Sequence, residues 1–522
     1  MNWRCINLEN KELTTYIYDQ YLEAKEYTIK TDMEERLQMC VDFYEGRQWG
    51  KVGEKTKKLP RATFNITELI VNTKVSSMLE KPYKVIFTSK EMPKQAEKLT
   101  RFNALMEKEM DFERLCEEIV EQGAIEGSSF IHFFWDSDAI GKRGEYKGGV
   151  RAEKINPLDI FVENPYQNDI QKQKWIILCS KLNKDDVLKL CEREQDKKYI
   201  VYDDFSGTTP KVTVLTKYFK NENDNQVYFI RSTKNVILHQ ERGVNPQSTT
   251  QFKANLYPVE VYQYKNKKNS IYGRGEVEPI IANNRTINFN TAMMSKGVED
   301  QGFGTIVQRE GALKVGEKIT NDSSKVLIDR YKGGQNGFYS LTKQPFTPEA
   351  YQLNKDIIET TRLITGVTSI MTGEVMYNNQ SGKSIAYLQQ QAMKPLEKLC
   401  KRYKIFRKQC AEILYQFYCL YYENKEFKIY NQKDVSLPND NITIIDTFNS
   451  EEYKKIDFDI SVEVGTTKEY DEAIEIELLD KFLKDKLIPL KTYCKLYPDN
   501  LLPGKERILA ELENLEKEQI KI

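Results

Sequence analysis

One apolar period constrains the fold of this chain more than any other feature. From Ser384 to about Tyr422, apolar residues recur at spacings of three and four, which predicts one amphipathic helix. At ~1.5 Å per residue it would be about 60 Å long, more than a small domain needs. Pro395 lies inside it and predicts a kink. The repeating residues are Ile385, Leu388, Ala392, Leu396, Leu399, Tyr403, Phe406, Cys410, Ile413 and Phe417.

The other segments predict an α+β fold with a mostly antiparallel sheet. Two helices are expected in residues 10–46, with Asp32 as N-cap and Gly46 as the stop, and others at 65–79 and 93–123. Short β-rich runs separated by turns fill residues 129–263, among them the run YIVYDD.

Two helices then bracket a small α/β insert. Residues 273–300 return to helical spacing, with Val277, Ile280, Asn284, Ile287, Thr291, Met294 and Val298 on one stripe. A second helix opens at Thr347-Pro348 and stops at Gly366. The loop from 366 to 383 has no period, and a loop of that length usually has a function. Short strands and then charged helices, from about residue 468, complete the chain.

The charge balance argues against tight binding of nucleic acid. Among 522 residues, 78 Lys and Arg face 78 Asp and Glu, so the net charge is zero. Proteins that grip nucleic acid by neutralising phosphates usually have a basic excess or a basic domain. No long segment is strongly basic, so any DNA contact is expected to be local, weak or geometric.

The sequence has few residues suited to catalysis or to metal binding. The two histidines, His132 and His239, lie far apart in strand-like runs, and the nine cysteines form no C-x-x-C pair. The acidic residues at strand ends, Asp136, Asp138 and Asp203-Asp204, are expected in solvated turns. We therefore predict no catalytic residue, no metal and no cofactor.

The scattered cysteines and polar start predict reduced thiols and a cytosolic protein without a signal sequence. The longest apolar stretch, near Leu414 to Tyr422, is too short for a membrane span.

One motif suggests an enzyme. Ser381-Gly382-Lys383-Ser384 imitates the end of a phosphate-binding loop, but the full pattern needs a glycine where Tyr377 stands. A nucleotide hydrolase that uses Lys383 is therefore kept as an alternative. Gly273-Arg274-Gly275 lacks the third glycine of a dinucleotide fingerprint, because position 278 is Glu. A helix start explains it better.

The architecture leaves two interpretations open. A bracketed insert, a long loop and an overlong kinked helix suit a ring in which helices line a channel and pack on neighbouring subunits. They also suit a large monomeric α+β protein with ordinary amphipathic helices.

The ordered set of short motifs resembles the portal proteins of tailed double-stranded DNA bacteriophages, the head–tail connector family. The match covers roughly residues 30–465. Its N-terminal part has three motifs. The first runs from Phe43 to Trp49, and the second is Asn65-Ile66, which opens a helix that ends before Lys81-Pro82. The third runs from Asn156 to Asp159 and is followed by Phe161-Val162. Its later part consists of Tyr272 to Glu276 leading into Asn283, Asn284 and Arg285, then Gly366-Val367, then Ser381 to Ala386.

The resemblance implies a division of the chain into named parts. They are a wing at 1–272, stem helices at 273–300 and 347–366 around a clip at 301–346, a tunnel loop at 367–383, a long kinked helix with the rest of the wing at 384–465, and a crown at 466–522.

The resemblance also implies a function without enzymatic activity. Family members form rings, typically of twelve subunits, at one capsid vertex of the virion, after assembly in the host cytoplasm. The ring contacts capsid or scaffolding protein, docks the large terminase subunit and later head-completion or tail adaptor proteins, and lets double-stranded DNA pass without sequence specificity. A ring-forming capsid scaffold without a DNA role is a further alternative.

The resemblance selects candidate site residues. Polar residues of the tunnel loop would hold DNA loosely: Thr368, Ser369, Thr372, Asn378, Asn379 and Gln380, with Lys383 at the base. Arg285 and Lys296 are candidates for charges facing the channel, unless they pair with Glu278 or Glu299 of a neighbour. Partner contacts in the clip are expected at Gln308, Arg309, Lys314 and Lys318.

Overall fold

The computed structural model describes most of the chain up to residue 493. The described residues are 10–50, 59–140, 147–191, 193–205, 207, 209–221, 225–241, 254–302, 305–314, 328–334, 336–341, 348–372, 388, 391–422, 424–430, 443–454, 456, 458–464, 479–485, 487–489 and 492–493. Within these ranges the chain is α+β, as expected, and every strand pair is antiparallel.

Helices dominate the first 126 residues. They are α1 (Asn10–Lys30), α2 (Met33–Tyr44), α3 (Ile66–Leu79), α4 (Pro93–Glu109) and α5 (Phe112–Glu126), with strand β1 (Tyr83–Thr88) after α3.

Two sequence predictions in this part need correction. The single helix expected at 93–123 is divided, because Asp111 takes a left-handed conformation with φ 54°. Asp32 precedes α2 but is also left-handed and makes no side-chain cap. By contrast, Asn65 caps α3 by accepting the Glu68 N–H at 3.3 Å.

Two antiparallel sheets follow. Strands β2 (Ser128–Ile140), β3 (Lys147–Ile155) and β9 (Val259–Gln263) form one, in the order β3-β2-β9. The other has the order β4-β5-β6-β7-β8, from β4 (Ile160–Val162), β5 (Trp175–Leu182), β6 (Val212–Lys220), β7 (Val227–Ser232) and β8 (Ile237–Glu241).

Short helices lie between the strands of these sheets. They are α6 (Lys184–Leu190) and 3₁₀ turns at Ile170–Lys172 and Glu194–Tyr199. The expected strand YIVYDD is wrong, since only the isolated bridge of Asp204 with Lys211 forms there.

The later elements return to helix and hairpin. A 3₁₀ turn (Glu278–Ile280) leads into α7 (Ile281–Gly302), and α8 (Pro348–Thr365) follows the hairpin of β10 (Thr305–Gln308) and β11 (Phe338–Leu341). A second 3₁₀ turn (Lys394–Leu396) precedes α9 (Glu397–Tyr421). Next come β12 (Asn424–Tyr430), β13 (Thr443–Asn449), α10 (Ser450–Tyr453) and β14 (Asp459–Val464).

The predicted long helix is confirmed in its second half. From Ala392 to Phe417 the predicted apolar residues are buried, and those from Leu396 onward line the main core, which α9 forms with α4, α5, β1, β2 and β14. The α-helix gives way to a 3₁₀ turn at Pro395, where the kink is expected, because proline cannot donate an amide hydrogen bond. Of residues 384–390, only Leu388 is among those described.

The β2 strand shows how the layers stack. Its side chains alternate: Ile131 and Phe133 enter the main core, whereas Phe130 packs toward the five-stranded sheet. Helix α1 covers the far face of that sheet through Leu13 and Ile17. The layers therefore stack in this order: α9 with α5, then the three-stranded sheet, then the five-stranded sheet, and finally α1.

Distant parts of the chain share one small sheet. Strand β1 pairs with β14 from Tyr83 opposite Val464 to Thr88 opposite Asp459. None of the described helices is long and apolar enough to cross a membrane.

Candidate functional site: the α7–α8 helix pair

Helices α7 and α8, hereafter the helix pair, contact each other through polar groups. The Asn283 Nδ2 donates to the Thr361 Oγ1 at 3.1 Å, and the Asn354 Nδ2 donates to the Thr291 Oγ1 at 3.1 Å. Thr361 and Asn354 are buried. Buried polar groups therefore take part in the contact between the two helices, which in most helix–helix contacts is made by apolar side chains.

The outer faces of the helix pair carry several exposed apolar side chains. On α8, Leu353 and Ile364 are 56% and 66% exposed, and they lie three turns apart on one side of the helix. Leu363 beside them is 81% exposed. On α7, Phe289 and Met293 are exposed one turn apart. Each helix thus has an exposed apolar stripe, which usually marks an interface.

The predicted α7 stripe is confirmed only at its start. Val277, Ile280, Asn284 and Ile287 are buried, but Val298 is 70% exposed. The correction follows from the packing, because the described residues around the last turn of α7 leave Val298 uncovered.

A buried amide network, hereafter the root, fixes the start of α7. Its members are Gln48, Asn65, Asn284 and Asn288. The Gln48 Oε1 accepts from the Nδ2 groups of Asn284 and Asn288, the latter at 2.6 Å. The Gln48 Nε2 donates to the Phe43 carbonyl at 2.7 Å and to the Asn65 Oδ1 at 2.8 Å. The root therefore joins three of the separate motifs in the sequence.

A buried ion group lies just before α7. The Glu276 Oε1 is 2.8 Å from the Lys74 Nζ and 2.7 Å from the Lys265 Nζ, and the Glu276 and Lys74 side chains are 1% and 4% exposed. Burial lowers the pKa of Lys74, and the Glu276 charge opposes that shift. A lysine held charged by one buried carboxylate depends strongly on that partner.

Gly275 explains the glycine motif that precedes the helix pair. A Cβ at this position would lie 2.6 Å from the carbonyl oxygens of Ala124 and Ile125. The Glu276 N–H donates to the Ala124 carbonyl at 2.7 Å. The glycine therefore allows close backbone approach to the end of α5, with no need for a nucleotide.

The two candidate channel charges have partners within the chain. The Arg285 guanidinium lies 5.1 Å from the Phe43 ring centroid and donates to the Met39 sulfur at 3.5 Å. The Lys296 Nζ is 2.9 Å from the Glu299 Oε2 on the same helix. The ion pair with Glu299 thus forms inside one chain.

The start of the predicted tunnel loop lies beside the helix pair. Gly366, with φ 74°, ends α8 next to Pro395, and Val367 is buried against Ile70 and Ile280. Thr368 and Ser369 are exposed, and the Thr372 Oγ1 donates to the Ser369 carbonyl at 3.1 Å. The other loop candidates, Asn378, Asn379, Gln380 and Lys383, are outside the described residues, and with them the Lys383 motif.

The insert residues fall on one hairpin. Arg309 stacks between Tyr331 and Tyr339, with its Cζ 5.5 and 6.0 Å from the ring centroids. Gln308 at the end of β10 is exposed, as is Lys314. Lys318 is outside the described residues.

Residues with metal or acid–base chemistry are explained by packing. The His132 ring lies 2.9 Å from both the Glu153 Oε1 and the Tyr218 Oη, and so joins the two sheets. Asp204 pairs with Lys181 at 2.9 Å. In the part of the chain that the structure describes, no cluster of three or more His, Cys, Asp or Glu is able to hold a metal ion.

Sequence reasoning did not identify Gln48, Asn288 or Lys74 as parts of this site. One signal was available for the root: α7 begins with the asparagine-rich sequence NNRTINFN, and asparagine is unfavourable inside a helix unless its side chain has a partner.

No protein-family model matches the chain, and no curated protein matches its sequence.

Proposed function

We propose that this chain is a bacteriophage portal protein. Copies form a ring of twelve subunits at one capsid vertex, and double-stranded DNA passes through its channel during packaging and ejection. In this proposal the helix pair is the stem, the β10–β11 hairpin belongs to the clip that docks terminase and later adaptor proteins, and residues 367–383 form the tunnel loop. The elements before residue 272 and around α9 form the wing.

One observation supports the proposal beyond the motif resemblance. The contact between the two helices includes buried polar groups, whereas several large apolar side chains of the helix pair lie exposed on its outer faces. Burial of exposed Leu, Ile and Phe side chains is worth roughly 1.5–3 kcal/mol each. A second copy would supply that burial.

The two stripes differ, and this favours a ring over a symmetric dimer. The α8 stripe carries Leu353, Leu363 and Ile364, whereas the α7 stripe carries Phe289 and Met293. When one stripe packs on the other stripe of the next copy, the contact is head-to-tail, and such contacts form a ring when the rotation between copies closes.

The test is the mass and image of the purified protein. We expect a homo-oligomer of several hundred kilodaltons with a central hole by light scattering and negative-stain microscopy. A protein that stays monomeric at every concentration would contradict the proposal, and a filled particle would favour a scaffold.

A paired variant locates the contact. Leu363→Ser with Ile364→Ser should abolish the ring while it changes the monomer's free energy of unfolding by less than about 1 kcal/mol, since both side chains are exposed. The control, Lys355→Ser with Glu359→Ser on the same helix, should still assemble. Equal assembly of both variants would show that the α8 stripe is not the interface.

A further inference from the structure

The zero net charge conceals a local concentration of positive charge. Of the fifteen residues from 394 to 408, seven are Lys or Arg and only Glu397 is acidic. Arg407 is the buried member, since it pairs with Glu107 in the main core. The others lie on the part of α9 and its preceding turn that remains accessible.

The helix geometry arranges these cations in a row. Lys394, Lys398, Lys401 and Lys408 follow one another at spacings of four, three and seven, which keeps them on one side of a helix. The first three are exposed. From Lys398 to Lys408 the row extends about 15 Å along α9. Lys401 and Lys408 lie 3.9 and 3.8 Å from Glu397 and Asp459, so those two are partly compensated.

A second basic segment lies beside this row. The Arg402 Nη1 donates to the Tyr264 carbonyl at 2.8 Å, which places α9 next to the loop that follows β9. That loop has the sequence KNKK at residues 265–268, and Lys267 and Lys268 are exposed. We call Lys394, Lys398, Lys401, Arg402, Lys267 and Lys268 the basic surface.

The buried carboxyl of Glu260 adds little negative charge to this surface. Glu260 lies with Arg402 along a shallow cleft between β9 and α9, and it is 2% exposed. Burial raises the pKa of Glu260 to about 8, against weaker opposition from the Val261 N–H and the Gln171 amide. It is therefore mostly protonated at neutral pH.

The chemistry of the basic surface selects its partner. A row of cations on a rigid helix fits a polymer with regularly spaced negative charges, and duplex DNA has one per ~1.7 Å of axis. Single strands are held by aromatic stacking, but Tyr403 and Phe406 on this helix are buried. An acidic protein would need an apolar contact centre, for which the row offers only Ile405, 59% exposed.

We infer that the basic surface, none of whose residues belongs to the tunnel loop, binds the phosphate backbone of double-stranded DNA without reading its sequence. This inference goes beyond the proposed ring and holds for a single copy. Binding is electrostatic, so it weakens steeply as salt rises.

The experiment measures salt dependence. A labelled duplex of about 30 random base pairs is titrated with the full-length protein between about 50 and 300 mM KCl, with fluorescence anisotropy as the readout. In the variant Lys394→Gln, Lys398→Gln, Lys401→Gln we expect affinity to fall on the order of tenfold per lost contact near 100 mM salt. The slope of log affinity against log salt should fall by about 0.9 per lost contact.

The matched control replaces three exposed lysines elsewhere. Lys81→Gln, Lys84→Gln, Lys94→Gln removes the same charge and should keep the wild-type slope. Equal slopes for the two triple variants would overturn the inference. So would displacement of the duplex by poly-glutamate at equal charge concentration, which would indicate an acidic protein partner. Light scattering on the same samples separates this outcome from that of the ring proposal.

Discussion

The main core and the root hold the molecule together in opposite ways. Around α9, Tyr403, Phe406 and Cys410 are buried among other apolar side chains. At the root, Gln48 bridges Asn284 and Asn288 through hydrogen bonds. Apolar burial is strong but has little direction, whereas buried amides tolerate one geometry. The core therefore supplies stability, and the root fixes how the helix pair leaves it.

The largest effect is expected in the main core. Phe406→Ala should lower the free energy of unfolding by about 3–5 kcal/mol, since Phe406 is 2% exposed and its removal leaves a cavity. The measurement is the urea midpoint at unchanged slope. Phe289→Ala on the outer α7 stripe is the control, and its effect on the monomer should stay within about 0.5 kcal/mol. A loss below about 1 kcal/mol for Phe406→Ala would contradict an apolar, close-packed core.

The next effect concerns the buried carboxyl of Glu260 on β9. Burial raises the pKa of Glu260 from an ordinary 4.5 to about 8, so the folded chain holds this proton more tightly than the unfolded chain. The resulting stability is fully present below about pH 4.5 and is lost as pH rises through about 8.

Glu260→Gln should remove the loss of stability at high pH, because glutamine keeps the contacts of Glu260 and carries no charge. Relative to wild type, the variant should gain on the order of 2–4 kcal/mol in unfolding free energy between about pH 5 and pH 9. Urea midpoints across that range measure it. The exposed control Glu113→Gln should follow the wild-type curve, and a Glu260→Gln curve parallel to wild type would show that this carboxyl is ionised in the fold.

The smallest effect is expected at the root. Gln48→Ala leaves the buried amides of Asn284 and Asn288 without their acceptor, at a cost of about 1–3 kcal/mol. Hydrogen exchange should show that the root and the main core act separately, because amide protection should fall in α7 more than in α9. Gln38→Ala, which removes only an exposed amide contact to Asp42, should change neither helix. A uniform loss of protection would show that the root belongs to the same cooperative unit as the core.

The elements predicted correctly from the sequence are those with a regular apolar spacing. Helix α9 and the strands of the two sheets lie where expected, because in such elements the spacing of apolar residues shows which side is buried. The break at Asp111 was missed, because it depends on a left-handed conformation that spacing does not show.

The site was harder to predict, because its contacts join residues far apart in sequence. Gln48 and Asn288 are separated by 240 positions, and neither residue type indicates a partner by itself. The charge row on α9 was missed for another reason: a zero total averages it with the acidic remainder of the chain.

The β1–β14 pairing has a consequence for synthesis. The Thr88 Oγ1 donates to the Asp459 carbonyl, 371 positions later in the chain. At ~5–20 residues per second, strand β1 waits roughly 20–70 s on the ribosome before its partner exists. During that time Val85 and Phe87 belong to an open edge that invites pairing with other chains. The rate at which this protein folds is therefore tied to completion of residue 464, and truncation before β14 should turn a folding chain into an aggregating one.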